Sequence, residues 1–311
     1  MNLLITGALG HIGSELIRKI PEGIFDRVLL IDNLSTQRYP SLFSLPKKEN
    51  FHFFEEDILT ADLEKRFQGV DVVVHLAAIT NAEASVDKPE EVEKVNFSGS
   101  ERVTRACAAC GSRLIFISTT SVYGVQKEEV DEDCSPDQLK PQSPYAESKL
   151  KAERMLLETG ARNGFKFVIC RFGTIFGVSP GMRFHTAVNK FIWQACTGQP
   201  ITVWKSAMDQ NRPYLDLVDA VEALKFIMKK DLFDGRVYNI VTTNTSVRKI
   251  LELISAQIPD VSVKYVDSKI MNQLSYTVSS RRFRDAGFNF HGKLEQAVRE
   301  TIDLLRGVRK W

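Results

Sequence analysis

The sequence predicts an α/β fold: a doubly wound parallel sheet, with a smaller mixed α/β lobe woven from the later segments. Two observations carry that expectation. Through the first half, short near-continuous apolar runs alternate with helical patterns, as strands buried on both faces of a parallel sheet require. A glycine-bearing turn follows the first run and opens straight into a helix. At 311 residues the chain suits one large domain with an additional lobe.

The elements follow in order. Residues 3–6, 28–32, 51–55, 72–76, 114–118 and 167–171 are rich in Val, Ile, Leu and Phe and read as strands. Between them 13–20, 62–67, 92–110 and 145–159 read as helices, with Gly111 and Gly160 placed to end the last two. Beyond Arg171 the rhythm breaks. A Gly/Pro-bearing loop is followed by a helix near 186–197, a strand at 201–204, a helix at 218–229 and a strand at 237–240. Helical patterns resume at 247–257 and 293–306. The expected division is therefore 1–172, with return segments around 214–241, as one domain, and 173–213 with 242–311 as the second lobe.

Composition excludes several classes. Hydrophobic residues at 43 % and charged residues at 26 % are ordinary for a globular protein, and a net charge of +2 gives no pull toward nucleic acid or membrane. The longest apolar run, 70–79, contains Asp71 and His75 and is too short to span a bilayer. Five cysteines is an odd number. Cys107 and Cys110 form a lone pair inside a helical pattern, with no second pair to complete a zinc site, and read as buried thiols. The chain opens already inside a structural element, so no secretory leader and a reducing cytoplasm are expected. No histidine spacing suits a metal.

The turn Thr6-Gly7-Ala8-Leu9-Gly10-His11-Ile12-Gly13 has the required strand before it and helix after it. Gly7 permits the tight turn, Gly10 lets the backbone approach a pyrophosphate, and Gly13 permits close packing of helix on strand. The helix N-terminus adds unpaired N–H groups for the phosphates. Asp32 ends the second strand about 20 residues later, where a carboxylate accepts from ribose hydroxyls and repels a 2′-phosphate; no basic residue follows it immediately. The cofactor expected is NAD. Asp57-Ile58, after the third strand, could reach the adenine. His11, under the pyrophosphate, reads as structural, and His75 as a satisfied core histidine.

Two later segments carry chemistry. Ser118-Thr119-Thr120-Ser121-Val122-Tyr123-Gly124 follows the fifth strand, and Tyr145-Ala146-Glu147-Ser148-Lys149 begins a helix with Tyr145 and Lys149 on one face. A nearby ammonium lowers a phenol's pKa, and a tyrosinate so tuned takes a proton from an alcohol while hydride leaves the same carbon.

These residues resemble the extended short-chain dehydrogenase/reductase family, in its nucleotide-sugar epimerase/dehydratase branch, which implies a Rossmann-type fold. The likeness covers the glycine turn, the runs 31–35 and 75–78, Asn96 before Gly99, the turn 118–124, the Tyr145–Lys149 segment and the run 212–219. It implies that Leu9, Ile12, Asn33, Ser35, Leu76, Ser118, Tyr145 and Lys149 border the cofactor. Asn96, Ala77 and Ala78 would line the nicotinamide end. It also implies Thr119 as the hydroxyl that bonds the reacting sugar oxygen, Arg212 as a contact of the substrate diphosphate, and Thr80, Thr120 and Ser121 around the sugar. The substrate would be a nucleoside-diphosphate sugar, and the protein a homodimer through the helices at 92–110 and 145–159.

The dehydratases of that family place Asp-Glu directly after the threonine, and the decarboxylating members keep a glutamate second. Thr120 and Ser121 stand there instead and are neither strong acids nor bases near neutrality. Small neutral residues are the pattern of the 4-epimerases. That favours a 4-epimerase cycling through a 4-keto sugar, with a net 4-dehydrogenase or 4-ketoreductase as the alternative and a non-catalytic NAD sensor as a third. Two departures touch the substrate: Thr174 replaces the usual asparagine, and the loop after Gly177 lacks the usual proline, leaving Arg183 and His185 as candidates to face the substrate.

Overall fold

A computed structural model describes residues 1–21, 23–46, 50–124, 126, 129–267 and 275–308. In chain order it has β1 (Asn2–Thr6), α1 (His11–Lys19), β2 (Arg27–Asp32), β3 (Phe51–Glu55), α2 (Leu63–Phe67), β4 (Val72–His75), α3 (Pro89–Glu93), α4 (Gly99–Cys110) and β5 (Arg113–Thr119). Next come β6 (Glu129–Val130), α5 (Pro144–Asn163), β7 (Phe167–Phe172), β8 (Thr174–Phe176), α6 (Ala187–Cys196), β9 (Ile201–Trp204) and β10 (Asn211–Asp216). The chain continues through α7 (Leu217–Lys230), β11 (Val237–Ile240), β12 (Thr243–Ser246), α8 (Val247–Ser255), β13 (Val263–Val266), β14 (Thr277–Val278), α9 (Arg281–Asp285) and α10 (Leu294–Leu305).

Seven strands form one parallel sheet in the order β11-β7-β5-β4-β1-β2-β3. The chain starts at β1, builds outward to β3, and then returns to β1's other side at β4. That reversal opens a crevice beyond the carboxyl ends of β1 and β4. Leu3, Leu4, Ile5, Val73 and Val74 are wholly buried, each contributing roughly 1.5–3 kcal/mol of hydrophobic stabilisation. Leu16, Ile17, Leu224 and Ile227 of α1 and α7 pack on one face of the sheet. Val103, Cys107, Ala152 and Leu156 of α4 and α5 pack on the other. A separate apolar cluster joins α6, α8 and α10 to Phe176, Ile201 and Tyr214. Beside it lie a three-stranded sheet β12-β10-β8 and the pairs β13-β9 and β14-β6.

Several expectations needed correction. The helix expected to end at Gly160 runs on to Asn163. Gly160 sits within it, where a Cβ would lie 2.3 Å from Phe167, and Gly164 with φ 64° is the cap. Gly111 does cap α4. Residues 92–110 are not one regular helix: a π-helical turn at Lys94–Ser98 separates α3 from α4. Cys107 is buried but Cys110 only partly so, and all five cysteines are free thiols. Among the described residues no helix is long and apolar enough to cross a membrane, and no group of His, Cys, Asp or Glu could hold a metal. Residues 268–274 and 309–311 of the expected second lobe lie outside the described residues.

Candidate active site

Gly7 turns the chain with φ 64° and lies so close to Ala77 that a Cβ would sit 2.5 Å from its nitrogen. A Cβ on Gly13 would lie 2.4 Å from the carbonyl oxygen of Ala8. Gly10 differs: an added Cβ would meet only the Gly7 oxygen at 3.2 Å and an Arg38 nitrogen at 3.9 Å. It is also the N-cap of α1, with no side chain to cap the helix. An open glycine on an uncapped helix N-terminus is a cradle that fits a diphosphate. Leu9, wholly inside, donates its N–H to Asp32 and accepts a 2.8 Å bond from Ser41.

The loop through Gly177, Ser179 and Gly181 clasps this turn. His11 is buried and shares a 2.8 Å bond with the Gly177 carbonyl. Ser179 donates to the His11 carbonyl at 2.9 Å, and Gly181 donates its N–H to Ser14 at 3.0 Å. Burial first, and then Arg183, bring the His11 pKa down to about 3, so the ring is neutral. Gly181 and Arg38 were both missed in the sequence. Arg38 follows Asp32 by one loop rather than immediately, and only the folded chain brings its charge back to Asp32.

Asp57 accepts from the side chain of Asn33 at 3.0 Å and from the N–H of Leu59 at 2.8 Å. Ile58 is buried against Gly99, and Ser35 is exposed at the rim. Ile12 and the segment from Leu76 through Ala77 and Ala78 to Thr80 are half-buried along the crevice. Asn96 sits on the π-helical turn, a distortion frequent at functional sites. Its side chain holds Ile79 by both backbone groups, at 2.8 and 2.9 Å, and reaches Ser148. His75 is a buried, satisfied histidine between Thr6 and Ser100.

Ser143 caps α5 and Pro144 takes its first turn, which fixes where Tyr145 emerges. Burial raises the Tyr145 pKa; Arg183 and the hydroxyl of Thr119 oppose that rise. Lys149 is buried and donates to the Ile117 carbonyl at 2.9 Å, and burial lowers its pKa to about 8 against the pull of Glu153. Arg183 thus brings a positive charge to the phenol from outside α5. Ser118 donates its hydroxyl to the buried Glu153 carboxylate.

Thr119 accepts the N–H of Ser121 at 3.1 Å, and Thr120 is buried behind it. Tyr276, a residue with no sequence signal, places its hydroxyl against both Thr120 and Ser121 and lies near Arg212. Thr174 pairs with Tyr214 on neighbouring strands. Among the described residues the buried Nε atoms of Arg183 and Arg212 have no hydrogen-bond partner, so each guanidinium keeps a donor free for an anion. His185 is exposed.

Residues 3–241 match the NAD dependent epimerase/dehydratase family. The chain is 28 % identical, over 100 % of its length and 48 % of the relative, to a trifunctional UDP-glucose 4,6-dehydratase/UDP-4-keto-6-deoxy-D-glucose 3,5-epimerase/UDP-4-keto-L-rhamnose-reductase of Arabidopsis thaliana; it spans about half the length of such relatives. It is 31 % identical to an uncharacterized UDP-glucose epimerase of Bacillus subtilis, over 82 % of this chain and 81 % of that one. The structure resembles UDP-glucuronic acid 4-epimerase from Bacillus cereus in complex with UDP-glucuronic acid and NAD, with a TM-score of 0.90, 26 % identity, and 98 % and 99 % of the two chains covered. The seven-stranded parallel sheet, the glycine cradle and the match over residues 3–241 together establish that the chain belongs to the NAD-dependent epimerase/dehydratase family, whose cofactor is NAD.

Proposed function

We propose that the protein is an NAD-dependent nucleotide-sugar 4-epimerase that works through a transient 4-keto sugar. The observation that carries this is the turn after Thr119, where Thr120 and Ser121 stand with the Tyr276 hydroxyl against them. Arg183, Thr119 and Tyr276 also bear on Tyr145, and none of these three is a carboxylate able to drive elimination of water.

When bound, NAD supplies the hydride acceptor and donor at the sugar carbon. Tyr145 takes the proton of the C4 hydroxyl and later returns it, and Thr119 bonds the same oxygen. Lys149 and Arg183 supply positive charge beside that proton transfer. Arg212 binds the diphosphate, with Thr80 and Thr174 along the sugar. Residues 1–172 and 214–241 hold the cofactor, and 173–213 with 242–311 hold the substrate. The named UDP-sugar relatives support a uridine nucleotide. A homodimer through α4 and α5 follows the family pattern.

Incubation with UDP-glucose, UDP-glucuronic acid and their C4 epimers, followed by NMR, tests the reading. A C4-inverted sugar without net NADH is expected, and Tyr145→Phe lowers turnover by about 10²–10⁴-fold. Stoichiometric NADH would make the protein a 4-dehydrogenase, and a 6-deoxy-4-keto product would make it a dehydratase.

A further inference from the structure

Behind the reacting groups lies a buried polar cluster that the reaction as described leaves unused. Arg171, on β7, is 4 % exposed and Glu153, on α5, is 1 % exposed. The guanidinium donates to the carboxylate as a fork, Nε to Oε1 at 3.0 Å and Nη2 to Oε2 at 2.7 Å. Its third nitrogen, Nη1, donates to the hydroxyl of the wholly buried Tyr123 at 2.8 Å, and that hydroxyl donates to Asn239 at 2.9 Å. Ser118 donates to the same Glu153 carboxylate.

The placement of these groups in the chain gives the cluster its meaning. Tyr145, Lys149 and Glu153 occupy successive turns of one face of α5, at i, i+4 and i+8. Ser118 immediately precedes Thr119, and Tyr123 ends the short helical turn Thr120–Tyr123 that follows it. Thr119 is therefore held on both sides by groups that converge on Arg171 and Glu153. A buried ion pair is rarely needed for stability, since apolar residues of similar volume serve as well or better. What a fork adds is fixed direction.

We propose that Arg171 and Glu153 are positioning residues that set the approach of Thr119 to Tyr145, by joining the helix that carries the phenol to the turn that carries the hydroxyl. This rests on the reading of Tyr145 and Thr119 given above.

The test uses the full chain loaded with NAD. A substrate-free readout is the pH titration of tyrosinate absorbance, with Tyr145→Phe as the blank. A second readout is reduction of bound NAD by UDP-glucose or UDP-glucuronic acid in a single turnover, a step shared by epimerases, dehydrogenases and dehydratases. The double substitution Glu153→Leu with Arg171→Met is expected to fold. It should raise the Tyr145 midpoint, because the Thr119 bond that lowers it is lost. It should slow the saturated rate about tenfold or more while KM changes by less than about twofold. Tyr123→Phe removes one hydroxyl, leaves the fork, and is expected to slow the saturated rate about threefold; it decides the question if the double variant does not fold. An unmoved Tyr145 midpoint in the variants, or a loss confined to KM, overturns the proposal. A wild-type protein that none of the UDP-sugars reduces rejects the functional reading instead, and the titration still reports on the positioning pair.

Discussion

Asp32 accepts the backbone N–H of Leu9 at 3.0 Å with one carboxylate oxygen and that of Leu34 at 2.9 Å with the other. The group expected to hold the cofactor ribose is thus also the brace of the glycine turn. Asp32→Asn keeps an acceptor and is expected to weaken NAD about tenfold. Asp32→Ala removes both bonds to a charged group, worth roughly 1.5–3 kcal/mol each, and is expected to weaken NAD about a hundredfold. Titration calorimetry with NAD measures both. Equal affinities for the two variants would show that bracing plays no part.

Two glycines of one turn should respond in opposite ways. Gly13→Ala drives a Cβ into the Ala8 carbonyl and is expected to cost about 1–3 kcal/mol of stability. At Gly10 the same methyl lies 3.2 Å from the Gly7 oxygen, a contact that a shift of a few tenths of an ångström relieves, so thermal stability should fall less than in Gly13→Ala while NAD binding drops by about tenfold or more. Melting curves with and without NAD separate the two. A similar melting loss in both variants would mean that Gly10 serves packing alone.

Arg183 is expected to act on the proton transfer as well as on binding. Burial and Arg38 bring its pKa down to about 10, so it stays charged near neutrality, and its charge opposes the raised pKa of Tyr145. Arg183→Gln should therefore move the acid limb of the kcat/KM profile to higher pH, since the base then holds its proton more tightly. A limb that stays in place while KM alone rises would leave Arg183 a binding residue only.

Stability should fall in mild acid through two histidines. Burial lowers the pKa of both His11 and His75 to about 3, with Arg183 and Lys149 respectively as the next causes. The unfolded chain, near 6.5, binds these protons first, so stability is full above about 6.5 and declines as pH falls toward 3. Each histidine contributes a slope of about 1.4 kcal/mol per pH unit within that window. Urea unfolding at a series of pH values measures it. His75→Gln should remove one such slope, and an unchanged pH dependence would contradict the neutral, buried assignment.

Much of this was legible in the sequence because strand burial and glycine chemistry are local. The apolar runs at 3–6 and 72–76 have one solution, a parallel strand buried on both faces, and Gly7 declares its left-handed turn. Strands that the sequence did not announce, such as Thr174–Phe176 and Thr243–Ser246, are short and only partly apolar, so no period marks them. Arg38, Gly181 and Tyr276 were invisible for a different reason. Gly181 acts on Leu9 and Tyr276 on Thr120 across long sequence separations, Arg38 meets Asp32 across a loop, and only the closed fold gives them these partners. The extension of α5 past Gly160 followed from Phe167, whose ring packs where a glycine alone can sit.

The central claim is that hydride leaves C4 and returns to C4 within one bound cofactor. A UDP-sugar carrying deuterium at C4, incubated with the NAD-loaded protein and followed by NMR, tests it most directly. The account predicts a C4-inverted product that keeps its deuterium at C4, with no deuterium in free NAD. Loss of the label to solvent or to the free cofactor pool, or its appearance at C6 of a 4-keto sugar, would contradict it.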